Sequence, residues 1–323
     1  MNCFLKLFRR KRTPKIQPEP TTVLDQPNLL STYLDNVILD WRGNDMTAYH
    51  WWPMREDNKQ GGSPDNNLYA IGGGIDKYDQ LFHEKAREYQ QTHYFRKNDS
   101  NKTDAGWAGF CDCATTLACT RKYPENSVNV HYLGQCVKFY PKDIEHLMIV
   151  ASRNTTNTSK SLFFGERCNH TELDDQSEPY PTALLETLKN VCSDSIPFAL
   201  DVDRGVAVWN YPYNEVKVVM TKTCPSQFIH LKPNKEGDCT YYNFIINSSA
   251  YPHKNIDIWG WSNKNELVVD EGWFCTKHPD FVWKTYPVVG EWKGNCEINP
   301  EINAQHVYEI YMASLCGFND VYF

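Results

Sequence analysis

Between Gly106 and Thr120 the chain reads GWAGFCDCATTLACT, three cysteines within nine positions behind a tryptophan and two glycines. A thiol here could be a nucleophile, half of a disulfide, a metal ligand or core filling, and each choice demands a different fold. A disulfide framework needs little core; a catalytic thiol needs a rigid packed scaffold around it. Metal ligation is the weaker reading, because no second pair completes a Cys-x-x-Cys…Cys-x-x-Cys pattern. A dithiol redox motif is weaker again, since the spacing is Cys-x-Cys. As an acyl-transfer centre the segment has the right parts. Gly106 and Gly109 permit a tight turn, and a helix starting at Cys111 would aim unpaired backbone N–H groups at a thiolate and at an oxyanion. Cys113 and Cys119 fall further along that helix, where structural roles are expected.

The scaffold for such a centre exists. The 323 residues are 41% hydrophobic and 14% aromatic, which is globular composition and not that of a disordered chain. The net charge of -7 argues against nucleic acid as a partner, which needs clustered Lys and Arg. Charge is uneven, however. Lys6, Arg9, Arg10, Lys11, Arg12 and Lys15 meet no acid in the first fifteen residues and alternate with Phe4, Leu5, Leu7 and Phe8. That tip is a frayed basic tail or a peripheral contact for anionic lipid, with Cys3 available for acylation. Four prolines in residues 12–28 make a linker, so the chain divides into a basic tail with linker (1–28) and one domain (29–323). No apolar run suits a signal peptide or a membrane span. Twelve cysteines and six sequons, at Asn98, Asn101, Asn154, Asn157, Asn169 and Asn247, are nonetheless compatible with secretion, so compartment stays open.

Periodicity predicts a helix in LLSTYLDNVILDW (29–41) and one amphipathic helix over 76–93, with Tyr78, Leu81, Phe82 and Tyr89 on one side. A short helix from Cys111, one or two strands in SVNVHYLGQCVKFY, and helices at PKDIEHLMIVAS and PYPTALLETLKNVC follow. PFALDVDRGVAVWNYP reads as two strands joined at Arg204-Gly205, NEVKVVMTKT as a further strand, and NPEINAQHVYEIYMASL as a closing helix. Helices early and strands late predict an α+β fold.

The segments YHWWPM (49–54), IDKYDQLF (75–82), WAGFCDCATTLA, VKFYPKDIEHLMIVAS, FFGERCN (163–169), PFALDVDRGVAVWNYP (197–212), HPDFVW (278–283) and NPEINAQHVYEI (299–310) occur in an order that resembles the elicitor-type transglutaminases, first associated with oomycetes and also found in bacteria. The resemblance covers most of residues 45–312, and GERCN with D-x-D…VWNxP carries it more than the cysteine does. It implies a papain-like or transglutaminase-like α+β core, helices packed on a mainly antiparallel sheet, and protein-glutamine γ-glutamyl transfer. A glutamine side chain would acylate Cys111 and release ammonia, and a lysine amine would resolve the thioester. The implied partners are proteins bearing those side chains. Cys111 is then the nucleophile, Asp201 the base or its partner, Asn210 the orienting amide and His278 the imidazole, with Trp107 and Trp209 walling an acyl-donor groove. Each has a plainer reading: Asp201 and Asp203 as turn formers, His278 as a loop residue before Pro279, Asn210 as a structural hydrogen-bonder, the tryptophans as core. His131, His146, His230 and His253 are rivals for the base. Calcium is a family-level option, with oxygen ligands in TELDDQSE (171–178) and VVDEG (268–272), neither at EF-hand spacing; no metal site is assigned. The chain departs from the family where Asp112-Cys113-Ala114 replaces the usual H/N-G/A-W and where Leu184 and Leu185 occupy a helix that usually carries histidine. Two alternatives therefore stand beside transfer: a hydrolase or deamidase of the same fold, and an inactive disulfide-rich recognition protein.

Overall fold

The computed structural model describes residues 36–54, 67–95, 108–165, 180–202, 208–231, 238–264, 269–275 and 278–323. The first element corrects the periodicity. β1 (Asn36–Arg42) is a strand, although its apolar spacing suggested a helix. Val37 and Ile38 are β-branched, and the segment pairs antiparallel with β7 (Glu215–Thr221), Trp41 opposite Val216. Strand pairing overrides a local period of this length.

The single helix expected over 76–93 is two, α1 (Gly74–Phe82) and α2 (Ala86–Tyr94). Asp79 breaks it by taking the amides of Ala86 and Arg87 at 2.7 and 2.8 Å, which starts a second helix. His83 closes the first in the left-handed region at φ 62°. The remaining expected elements fall where the pattern put them. α3 (Cys111–Thr120) is followed by the hairpin β2 (Val128–Tyr132) and β3 (Gln135–Phe139), whose Leu133-Gly134 turn has positive φ at both residues. α4 (Pro141–Ala151) begins on its proline. Then come β4 (Leu162–Gly165), α5 (Pro181–Val191), β5 (Phe198–Asp201), β6 (Asn210–Tyr213) and β7. The chain finishes with β8 (Cys239–Asn247), β9 (Ile256–Lys264), β10 (Val269–Trp273), β11 (Phe281–Lys284), α6 (Ala304–Cys316) and β12 (Asp320–Tyr322).

The described residues form three sheets, ordered β1-β7-β8-β9-β10, β4-β11-β5-β6 and β12-β2-β3. All pairings are antiparallel except β12 with β2, so the fold is α+β with mainly antiparallel sheets. Residues 34–323 make one compact unit. Within it, one core joins the helices through Ile75, Leu81, Leu117, Leu147 and Ile310. A second joins α5 to the sheets through Leu184, Leu188, Phe198, Val218 and Phe244. Burying each such side chain contributes about 1.5–3 kcal/mol. α3 sits between them: Leu117 and Ala114 enter the first core, while Thr115 Oγ1 donates to the Asn210 carbonyl of β6 at 2.9 Å. That bond fixes the helix, and its first residue, against the second sheet.

Candidate active site

Local chemistry brings Cys111 to the head of α3. Gly109 bridges to Pro53, and a Cβ there would lie 2.2 Å from the Trp51 ring, so only glycine lets the two strands of chain approach. Phe110 N donates to the Trp51 carbonyl at 2.7 Å, and the helix opens at the next residue. The first-turn amides of α3 have no partner within the helix and face the end where the sulfur lies.

Cys111 is a half-buried thiol, not a half-cystine. Its Sγ lies 3.6 Å from the Val208 carbonyl and receives the Asn210 side-chain amide, Nδ2 to Sγ 3.7 Å. The orientation of that amide follows from a third residue. Trp283 Nε1 can only donate, and it donates to Asn210 Oδ1 at 2.9 Å, so the oxygen faces the indole and the NH₂ faces the sulfur. Asp201 stands opposite Asn210 across the β5–β6 pairing, fully buried, and accepts the Trp209 backbone amide at 2.9 Å.

Burial pushes the Cys111 thiol up to about 11, with the Asp112 carboxylate adding to it and the Asn210 hydrogen bonds opposing it. The helix N-terminus was expected to favour the thiolate. Desolvation and a neighbouring negative charge act the other way, because both disfavour the charged form. The resting sulfur therefore holds its proton at neutrality, and any nucleophilic step needs a base.

Two cavities meet at this sulfur, both lined by Cys111 and Asn210. One, of about 680 Å³, carries carboxylates and hydroxyls, with Asp112, Thr116, Ser152 and Asp201 in its wall beside Phe163, Phe281 and Trp283. The other, of about 320 Å³, is aromatic, walled by Tyr49, Trp51, Trp209, Tyr211 and Tyr251, with His50, His253 and Lys254 among its lining. Both sizes suit a substrate side chain and its neighbours.

The structure brings together Cys111, Asp201 and Asn210. Trp209 is half-buried in the aromatic wall; Trp107, with Gly106, lies outside the described residues. His278 is not brought in. It is buried with its ring stacked on Trp273 at 5.2 Å and lines neither cavity. Among its rivals, His131 pairs with Asp320 at 2.9 Å on the hairpin, and His230 is exposed. His146 is buried edge-on to Trp52 at 4.1 Å, its Nδ1 accepting from Gly74 N. Only His253 of the four shares a cavity with the thiol. Sequence reasoning missed His50 and Trp283, although both sit in quoted motifs, YHWWPM and HPDFVW. His50 is held through its backbone amide by Glu145 Oε1 at 2.6 Å, and burial pushes its imidazole down to about 4, leaving it neutral at pH 7. Leu184 and Leu185, where the family pattern would place histidine, are buried in the second core.

Among the described residues no three His, Cys, Asp or Glu side chains gather as a metal site. Residues 171–178 lie outside them. Glu271 of the second acidic segment instead binds Thr182 at the start of α5, its Oε2 accepting the amide at 2.9 Å. No helix among the described residues is long and apolar enough to cross a membrane, and the basic tail lies outside them. No protein-family model, curated protein or solved structure matches the chain.

Proposed function

We propose that the protein is a cysteine acyltransferase of transglutaminase type on a papain-like core, moving a glutamine γ-acyl group onto an amine. One observation carries this reading: a thiol at a helix head, held by the amide of Asn210, where two cavities of different chemistry meet. That layout suits a two-substrate reaction through a covalent intermediate, because each substrate can approach the sulfur from its own side. A single-substrate binder does not need it.

In this reading Asp201 accepts the thiol proton as Sγ attacks the γ-carboxamide carbon. The S–C bond forms, and the carbonyl oxygen takes negative charge beside the first-turn amides of α3 and the Asn210 NH₂. The C–N bond then breaks, and the proton held by Asp201 leaves with ammonia. An amine attacks the thioester, gives up a proton to the same carboxylate, and returns the thiol. Water reaching the larger cavity, whose wall includes Thr116, Ser152 and Thr156, competes with the amine and would make the same site a deamidase.

The test incubates the full chain and Cys111→Ala with a glutamine donor peptide and a fluorescent amine, following both fluorescence incorporation and ammonia. Transfer predicts incorporation by the parent only. Ammonia without incorporation selects the deamidase, and equal incorporation by both proteins ends the proposal.

A further inference from the structure

The two cavities differ in charge as well as in walls. Asp112, Asp201, Glu297 and Arg153 line the larger one, and Arg153 reaches Glu297 at 3.8 Å. With that pair balanced, the carboxylates of Asp112 and Asp201 remain among the described residues. Among the described residues the smaller cavity is lined by no carboxylate. The Lys or Arg that lines it among those residues is Lys254, whose Nζ stands 4.8 Å from the Tyr211 ring centroid, and the face of that ring is thereby occupied by a cation already.

We propose, resting on the acyl-transfer reading above, that the aromatic cavity takes the acyl donor and selects glutamines flanked by acidic residues, while the carboxylate-lined cavity admits the cationic amine. An uncharged carboxamide packs against Tyr49, Trp51 and Trp209 without losing a charge–water interaction, whereas an ammonium would meet Lys254 at like charge. Acidic neighbours of the glutamine meet that lysine at opposite charge. On the far side, Asp112 raises the local concentration of the ammonium and Asp201 stands ready for the proton it must lose before attack. Donor and acceptor thus reach the thioester from different cavities, and neither has to leave for the other to enter.

The test compares acetyl-Glu-Gln-Glu-amide with acetyl-Lys-Gln-Lys-amide as donors, at low salt, with hydroxylamine as the acceptor because it is neutral at pH 7.5. Hydroxamate formation should show kcat/KM about ten-fold higher for the acidic peptide, and Lys254→Glu should reverse the order. Tryptophan fluorescence of Cys111→Ala should report tighter binding of the acidic peptide as well. Equal kcat/KM for the two peptides, or a preference that survives Lys254→Glu, overturns the donor assignment and leaves acyl transfer standing, since hydroxamate still forms. On the acceptor side, Asp112→Asn should lower the kcat/KM ratio of cadaverine to hydroxylamine about five-fold; both amines attack one thioester, so the ratio is insensitive to the thiol itself. An unchanged ratio overturns the acceptor assignment. No hydroxamate from either peptide overturns both this proposal and the reading beneath it.

Discussion

Cys111 and Cys119 stand at opposite ends of one helix, and each sulfur lies 3.6 Å from a backbone carbonyl, that of Val208 two residues before β6 for the first and that of Phe198 in β5 for the second. Burial raises both thiols above their ordinary value. What separates them is access and a donor. Cys111 opens onto two cavities and receives the Asn210 amide; Cys119 is enclosed and lines neither of them. A raised pKa therefore marks burial at both ends of α3, and reactivity has to be argued from the groups around the sulfur.

Substitution at the two ends should separate them most sharply. Cys111→Ala should abolish amine incorporation, at least 10³-fold in kcat, with Tm unchanged within a degree or two. Cys119→Ala should keep kcat and lose about 1–2 kcal/mol in urea unfolding, since only packing is removed. Asp201→Asn comes next, with an expected loss of about 10²–10⁴ in kcat, the usual range for a proton-transfer partner. A loss under three-fold would move the base to His50 or His253, in the aromatic cavity. Trp283→Phe keeps the ring and deletes the N–H that orients Asn210. A drop of about ten-fold in kcat with KM unchanged is expected, and full activity would mean the amide keeps its orientation without help.

The smallest effect is in pH. The folded chain holds the Cys111 proton up to about 11 against an ordinary 9. Its contribution to stability is thus complete below about pH 9 and lost as pH rises towards 11. Iodoacetamide should label Cys111 with a rate that climbs through the same interval, while Cys119 labels only on unfolding. Labelling of Cys111 that is already maximal at pH 7 would show a preformed thiolate.

Much of this was legible in the sequence. Glycine, proline and alternating apolar residues mark the β2–β3 hairpin, α4, α5 and the β5–β6 pair because their determinants are local. The period at 29–41 points to a helix because the pairing that makes β1 a strand, with β7, spans about 180 residues, which no window along the chain contains. The split between α1 and α2 hangs on one carboxylate, Asp79, turning back onto two amides. At the site, Cys111, Asp201 and Asn210 belong to segments with strong signals. Trp283 acts through Asn210, 73 residues away, and His50 enters through a cavity wall, so both depend on tertiary placement. His278 stands out by residue type and motif, but its ring stacks on Trp273 and lines neither cavity, a placement that residue type does not encode.

The most direct measurement omits the acceptor. Intact-mass spectrometry of the protein mixed briefly with a glutamine peptide and quenched in acid should show one adduct, equal to the peptide less ammonia, and peptide mapping should locate it on Cys111. No adduct at any quench time, or one that persists in Cys111→Ala, would contradict the account.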